Sequence, residues 1–216
     1  MTREDNWTAT WACNKLISHD DIQAVHARGP NQIELSVKNV NRSVQIVTMS
    51  VDTVRATDLH ELCISGDIEF AMNIKKDAIY DGSAIQFSGS FPIGLGGLGD
   101  LYVAAHERNF RNYLPKETRF ILRGLRQHTA VSTIQRLNNR LYRVERHSGD
   151  PVIVLALNDY DLTADSVRDG IDRFGRCDII LASNPNCRPS GESLTAAKHC
   201  GVRVLKWGQL LGALNH

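Results

Sequence analysis

Hydrophobic positions in this chain gather into short apolar runs that alternate with stretches patterned for helices. Asp67-Ile-Glu-Phe-Ala-Met-Asn73 and Asp178-Ile-Ile-Leu-Ala-Ser-Asn184 are two such runs; both begin with Asp and end in Asn, and both read as buried strands. Aligned, they agree at four of seven positions. Further on, Gly82 matches Gly191, Gly99 matches Gly208, Leu101 matches Leu210 and Ala104 matches Ala213 at one constant offset. Upstream, Asp52-Thr-Val-Arg55 matches Asp165-Ser-Val-Arg168, and the strands Ile33 to Asn39 and Val152 to Asn158 both end in Asn. Each half thus reads strand, helix, strand, helix, strand, helix. Apolar strands alternating with short helices point to parallel pairing with helices on both faces. The expected fold class is α/β: two duplicated strand–helix units with a mainly parallel sheet, joined by a basic segment. Convergent patterning of two generic strand–helix units is the alternative to duplication.

The segments implied are an N-terminal stretch 1–30, a first unit 31–106, a joining segment 107–150 and a second unit 151–216. Within the joining segment, Glu117 to Gln127 is patterned for a helix, with Phe120, Ile121 and Leu125 on one side. A second helix is expected over Ala130 to Leu137, reached through a turn at His128-Thr129. Leu141 to Arg146 alternates as a strand, turns at His147-Ser-Gly-Asp150 and returns as Pro151 to Leu157. Two short helices followed by a basic hairpin resemble a winged helix.

Charge sharpens this picture. The 216 residues carry 25 Lys+Arg and 24 Asp+Glu, a net of +1. From Glu107 to His147, however, ten basic residues face three acidic ones, so this segment holds +7 and the remainder −6. Arg123, Arg126, Gln127, Gln135, Arg136, Asn138, Asn139 and Arg140 form the expected nucleic-acid contact set, suited to phosphates and base edges. The competing reading places these arginines in intramolecular ion pairs. Five cysteines without a C-x-x-C pair argue against a disulfide framework or a zinc ribbon. Apolar runs are far shorter than the ~20 residues of a membrane span. The opening residues Met1-Thr-Arg-Glu-Asp-Asn lack the basic start and apolar run of a secretory leader, so a cytoplasmic protein is expected.

Candidate chemistry is sparse. Gly94-Leu-Gly-Gly-Leu-Gly99 satisfies G-x-G-x-x-G, but a short preceding apolar segment and a polar sequel favour a tight strand-to-helix turn over a dinucleotide site. In open parallel sheets ligands collect beyond the carboxyl ends of strands. Asn39, Asn73, Asn158 and Asn184, with Arg188, are therefore the expected ligand-binding residues, for a small anionic or nucleotide ligand held between the two halves.

The C-terminal stretch from Cys177-Asp-Ile-Ile-Leu-Ala-Ser-Asn184 through Ser193-Leu-Thr-Ala-Ala-Lys-His-Cys-Gly-Val-Arg-Val-Leu205 to Trp207-Gly-Gln-Leu-Leu211 is similar to the end of Mrr-type restriction-endonuclease-like domains. That resemblance, over about 40 residues, implies a nuclease-like α/β fold and association with nucleic acid. Such nucleases use an acid on one strand and an acid or Gln two before a Lys on the next, to hold Mg²⁺ and orient water. The second unit offers only Leu155-Ala-Leu157. The first offers Ser36-Val-Lys38 with Glu34 and upstream Asp21, so Asp21, Glu34 and Lys38 are the candidate catalytic set and Mg²⁺ the cofactor only if that set works. The leading expectation is a non-catalytic or degenerate nuclease-like protein on nucleic acid; a ligand-binding sensor or enzyme is the alternative, and a homodimer is one way for the halves to pair.

Overall fold

Two stretches of chain, Met1–Pro115 and Lys116–His216, fold as separate units in the computed structural model, which describes residues 7–63 and 66–215. Residues 1–6, which carry the argument against a secretory leader, lie outside the described residues. Among the described residues no helix is long and apolar enough to cross a membrane.

The first unit runs α1 (Trp7–Leu16), β1 (Ile22–Ala27), β2 (Gln32–Val37), β3 (Ser43–Met49), β4 (Thr53–Val54), α2 (Ala56–Cys63), β5 (Phe70–Asn73), β6 (Ile79–Tyr80), α3 (Gly82–Ser90), β7 (Gly94–Gly96) and α4 (Leu98–Glu107). The second repeats this order: α5 (Lys116–Arg126), β8 (Val131–Arg136), β9 (Leu141–Arg146), β10 (Val152–Leu157), β11 (Asp161–Leu162), α6 (Ala164–Phe174), β12 (Ile179–Ala182), β13 (Arg188–Pro189), α7 (Gly191–His199), β14 (Arg203–Leu205) and α8 (Trp207–Ala213). Strand order matches too, β1-β2-β3-β5-β7 in one sheet and β8-β9-β10-β12-β14 in the other. The α/β character is as the sequence implies; in the first half, however, the stretch from Ile33 leads into strand β3 and not into a helix.

Each sheet is mixed, not mainly parallel. β1, β2 and β3 pair antiparallel, and β5 and β7 then add in parallel through helical crossovers. β8, β9, β10, β12 and β14 do the same. Side-chain patterns explain the change of pairing. In β2, Ile33, Leu35 and Val37 are buried while Gln32, Glu34 and Ser36 are half-exposed, as befits a strand covered on one face. In β3, Val44 and Ile46 join a core with α1 and α4, and Val47 and Met49 join a second core with α2 and α3. That strand is covered on both faces and can carry parallel neighbours. In the second unit Leu155 and Leu157 pack with Val167, Ala196 and Ala197 of α6 and α7.

Three local expectations are overturned. Residues 131–136 form strand β8, not a helix, so no helix-turn-helix or winged helix is built. Val131, Thr133 and Ile134 are β-branched and lose side-chain freedom in a helix, and pairing with β9 decides the matter. Phe120 of α5 points outward, 54% exposed, while Thr118, Ile121, Leu122 and Leu125 make the buried stripe. The hairpin is as expected, with β9 and β10 antiparallel across residues 147–150. The joining segment itself is divided: residues 107–115 close the first unit, and from Lys116 onward the chain supplies α5, β8 and β9 of the second.

The repeat register also differs. Phe70 opposes Gly94 and Ile179 opposes Arg203, so the ladders set Phe70 against Ile179, two residues away from the sequence match. The counterpart of β10 is then β3, not the stretch Ile33 to Asn39. Asn39 lies in the β2–β3 turn with φ of 62°, at the opposite end of the sheet from Asn73.

The glycine-rich stretch is a steric device. A Cβ on Gly94 would stand 2.0 Å from the Phe110 carbonyl oxygen, and one on Gly96 2.4 Å from Asp100 Cβ, whereas Gly99 has open space. Asp100 in turn accepts from Gly97 N–H at 2.9 Å and from the Tyr113 hydroxyl at 2.7 Å, fixing the start of α4. Gly94→Ala is expected to destabilise the first unit by about 1–3 kcal/mol through overpacking. Gly99→Ala should be neutral or stabilising by up to ~1 kcal/mol through helix propensity. Urea unfolding of the two variants checks both signs.

Candidate functional site

Two crossovers leave the carboxyl ends of β10, β12 and β14 side by side at one edge of the second unit. Here a cavity of about 580 Å³ opens, lined by residues of this unit alone, among them Lys116, Glu117 and Phe120 from α5, Asn158 after β10, Ser183 and Asn184 after β12, and Lys206 and Trp207 after β14. Its size suits a small organic ligand.

Its charges are arranged unequally. The Glu117 carboxylate accepts from Arg140 at 2.6 Å through one oxygen and from the Ser183 hydroxyl through the other. Ser183 Oγ also lies 3.0 Å from the Leu157 carbonyl. Glu117 is thereby matched inside the protein, and its place in the first turn of α5 sets it favourably against the helix dipole. Lys116 and Lys206, by contrast, make no ion pair among the described residues and are exposed at the cavity. The cavity carries two uncompensated positive charges.

One wall is aromatic. Phe120 and Trp207 lie with ring centroids 5.0 Å apart at 50°. The indole reaches α5 where that helix has Gly124: a Cβ there would stand 2.1 Å from Trp207 Cζ2. A glycine inside a helix costs up to ~1 kcal/mol relative to Ala, and here it makes room for the ring.

Among the expected ligand residues, Asn158 and Asn184 come together on this cavity. Asn184 Oδ1 accepts from Asn186 N–H at 2.9 Å, leaving its amide donors; the Asn158 amide makes no hydrogen bond among the described residues. Asn73 is buried and consumed in structure: its Nδ2 donates to the Val51 carbonyl at 2.7 Å and its Oδ1 accepts from Val51 N–H at 3.2 Å. Asn39 is at the far end of its sheet. Arg188 lies over the Tyr160 ring at 5.7 Å, on β13, and does not line the cavity.

The expected nucleic-acid set divides. Arg123, Arg126, Gln127 and Gln135 are exposed. Arg140 is held by Glu117, and Asn138 is buried, donating to the Phe174 carbonyl at 2.8 Å and accepting from the amides of Arg140 and Leu141. Arg136 is largely covered, its Nε buried without a hydrogen-bond partner, and desolvation pulls its pKa below the ordinary arginine range. Asn139 is half-buried beside them.

Nor does the candidate catalytic set assemble. Lys38 N–H donates to the Asp21 carbonyl at 2.9 Å, so these two are neighbours. Glu34 sits four residues back along β2, about 13 Å away at strand rise, with its carboxylate on Arg28. Asp21 instead meets His106 Nδ1 at 3.1 Å. Hydrogen bonds from Ser43 and Arg28 lower the Glu34 pKa. No group of three His, Cys, Asp or Glu suited to a metal occurs among the described residues.

Lys116, Glu117, Ser183, Lys206 and Trp207 are the site residues that sequence reasoning missed. The available signal was Lys206-Trp207 directly after an apolar strand, and a lone acid at the head of a basic helix.

Glu117→Ala should destabilise the second unit by about 1–2 kcal/mol, less than a fully buried pair because both partners keep some solvent. Arg140→Ala combined with it should cost little more, since the pair acts as one unit. Chemical unfolding of the single and double variants measures this. Comparison with protein-family models, with curated proteins and with solved structures returns no match for the chain, so the chemistry of the site stands on these residues.

Proposed function

We propose that this protein binds a small, multiply charged anion in the cavity at the carboxyl ends of β10, β12 and β14. One observation carries the reading: Lys116 and Lys206 flank a half-enclosed, partly aromatic cavity with no carboxylate partner among the described residues, while the acid lining it, Glu117, is already satisfied by Arg140 and Ser183. Two lysines at the rim of one cavity, with no acid left to neutralise them, attract phosphate or carboxylate groups. The position agrees with the general preference of ligands for the carboxyl edge of parallel strands. The reading takes the two units as copies of one ancestral unit, supported by their common element order and strand order, of which the second kept or gained the charged pocket.

A second reading rests on Arg123 and Arg126, exposed on α5 and without ion pairs among the described residues, with Gln127 and Gln135 nearby in sequence. They favour phosphate contact by nucleic acid, in line with the nuclease-like resemblance of the C-terminal stretch. Duplex binding that weakens steeply with salt, and whose slope falls by about two on Arg123→Ala/Arg126→Ala, would support it. Salt-independent binding or none at low salt would dismiss it.

For the leading reading, tripolyphosphate is the direct probe. At 100 times its Kd a ligand specific for the native state stabilises by about 2.7 kcal/mol. Wild-type protein is therefore expected to melt at higher temperature with tripolyphosphate, and Lys116→Ala/Lys206→Ala to lose that shift. Equal shifts in both proteins would show that the anion binds elsewhere.

A further inference from the structure

We infer that the anion carries a flat aromatic group, and that the cavity is a nucleotide site with its base stacked on Trp207 and its phosphates at Lys116 and Lys206. This rests on the anion reading above and adds the ligand's other half. Three observations carry it.

The first is the indole itself. Trp207 is half-buried, lines the cavity and is the first residue of α8, beyond the end of β14. A large apolar ring at a cavity wall is poorly matched to a bare inorganic anion, which gains nothing from an apolar face. It is well matched to a nucleobase, because every base has a π-face and aromatic stacking is tolerant of which base is present.

Fixation of that ring is the second. Trp207 meets Phe120 on one side at 5.0 Å and fits against α5 at Gly124, where a Cβ would stand only 2.1 Å from Cζ2. Phe120 and Gly124 are four residues apart and share one helix face. A ring keyed in this way loses little freedom when a base stacks on it, which favours binding.

The third is the polar complement. Asn158 is exposed at the cavity with an amide that makes no hydrogen bond among the described residues, and Asn184 has free amide donors after its oxygen is taken by Asn186 N–H. Side-chain amides offer donor and acceptor together, the pairing that base edges require. A volume of about 580 Å³ accommodates a nucleotide. Two lysines separated along the chain, one on α5 and one after β14, ask for more than one negative charge, as a di- or triphosphate supplies.

A single-tryptophan protein, Trp7→Phe/Trp11→Phe, leaves Trp207 as the sole indole emitter. It is titrated with ATP, GTP, tripolyphosphate and ribose 5-phosphate, by fluorescence excited at 295 nm and by calorimetry. ATP or GTP should quench Trp207 and bind at least about tenfold tighter than tripolyphosphate. In the otherwise native sequence, Trp207→Leu should weaken nucleotide binding about tenfold or more while leaving tripolyphosphate affinity unchanged, and Trp207→Phe should restore most of the nucleotide affinity. Nucleotides that bind no tighter than tripolyphosphate and leave the emission unchanged would overturn the stacking inference while the anion reading stands. Equal loss of both ligands in Trp207→Leu would overturn it too, since the ring would then serve only structure. If none of the four ligands binds, the anion reading fails and the nucleotide inference with it.

Discussion

A carboxylate at the head of α5 organises the carboxyl edge of the parallel strands in the second unit. Glu117 receives Arg140 from the start of β9 and Ser183 from the end of β12, so three elements distant in sequence meet at one group. Partial burial strengthens each of these hydrogen bonds and makes any missing partner costly. The consequence reaches beyond stability. With Glu117 satisfied inside the protein, it does not neutralise Lys116 or Lys206, and the cavity they flank keeps its positive charge.

Topology supplies the same corner twice and sequence fills it differently. In the first unit Asn31 occupies the position of Arg140: Thr48 N–H donates to the Asn31 carbonyl at 2.8 Å as Ala156 N–H does to that of Arg140 at 2.9 Å. There the Thr48 hydroxyl donates to Thr8 Oγ1 at 2.9 Å, and Thr8 donates to Asn31 Oδ1 at 3.2 Å. Thr8 and Thr48 are buried, and the neighbouring cavity of about 450 Å³ has Asp58 and Glu61 at its wall and no Lys or Arg among the described residues that line it. A neutral hydrogen-bond network needs no counter-charge when buried, whereas an ion pair must be fully matched to offset its desolvation. The first unit therefore has a corner suited to structure, and the second a corner that leaves cations free for a ligand.

How much of this was legible in the sequence follows from what each signal depends on. β10 and β12 are apolar throughout, and β5 is apolar up to its closing Asn73, so they can be read directly, as can the β9–β10 hairpin, because burial on both faces and turn chemistry are local properties. β8 was misread because Val131-Ser-Thr-Ile-Gln-Arg136 fits a helical stripe nearly as well as an alternating strand, and only its partner β9 decides. The mixed pairing is hidden for a related reason: strand direction is set by connections, and in sequence the short turn between β2 and β3 looks like the end of a buried strand at Asn39. Alignment by identical residues then slid two positions, since Asp-Ile at both strand starts outweighed the register that the ladders impose.

The site itself was half legible for a reason that is physical. Asn158 and Asn184 could be found because a polar residue ending an apolar strand marks the sheet edge. Glu117, Arg140 and Ser183 come from three separate elements and become a unit only through folding. Arg140 illustrates the limit most sharply. Its place in a strongly basic run made it a candidate for phosphate, yet one acid, 23 residues earlier, takes it out of that role. Net charge over a segment counts cations without asking which of them are already paired. Arg111, Arg140 and Arg143 are each matched by carboxylates, while Lys116, Arg123 and Arg126 have none among the described residues. Free cations, not total cations, attract an anion, and of these three Lys116 lines the half-enclosed cavity beside Trp207. That selection is why the proposal settles on the pocket beside Trp207 and not on the basic segment as a whole.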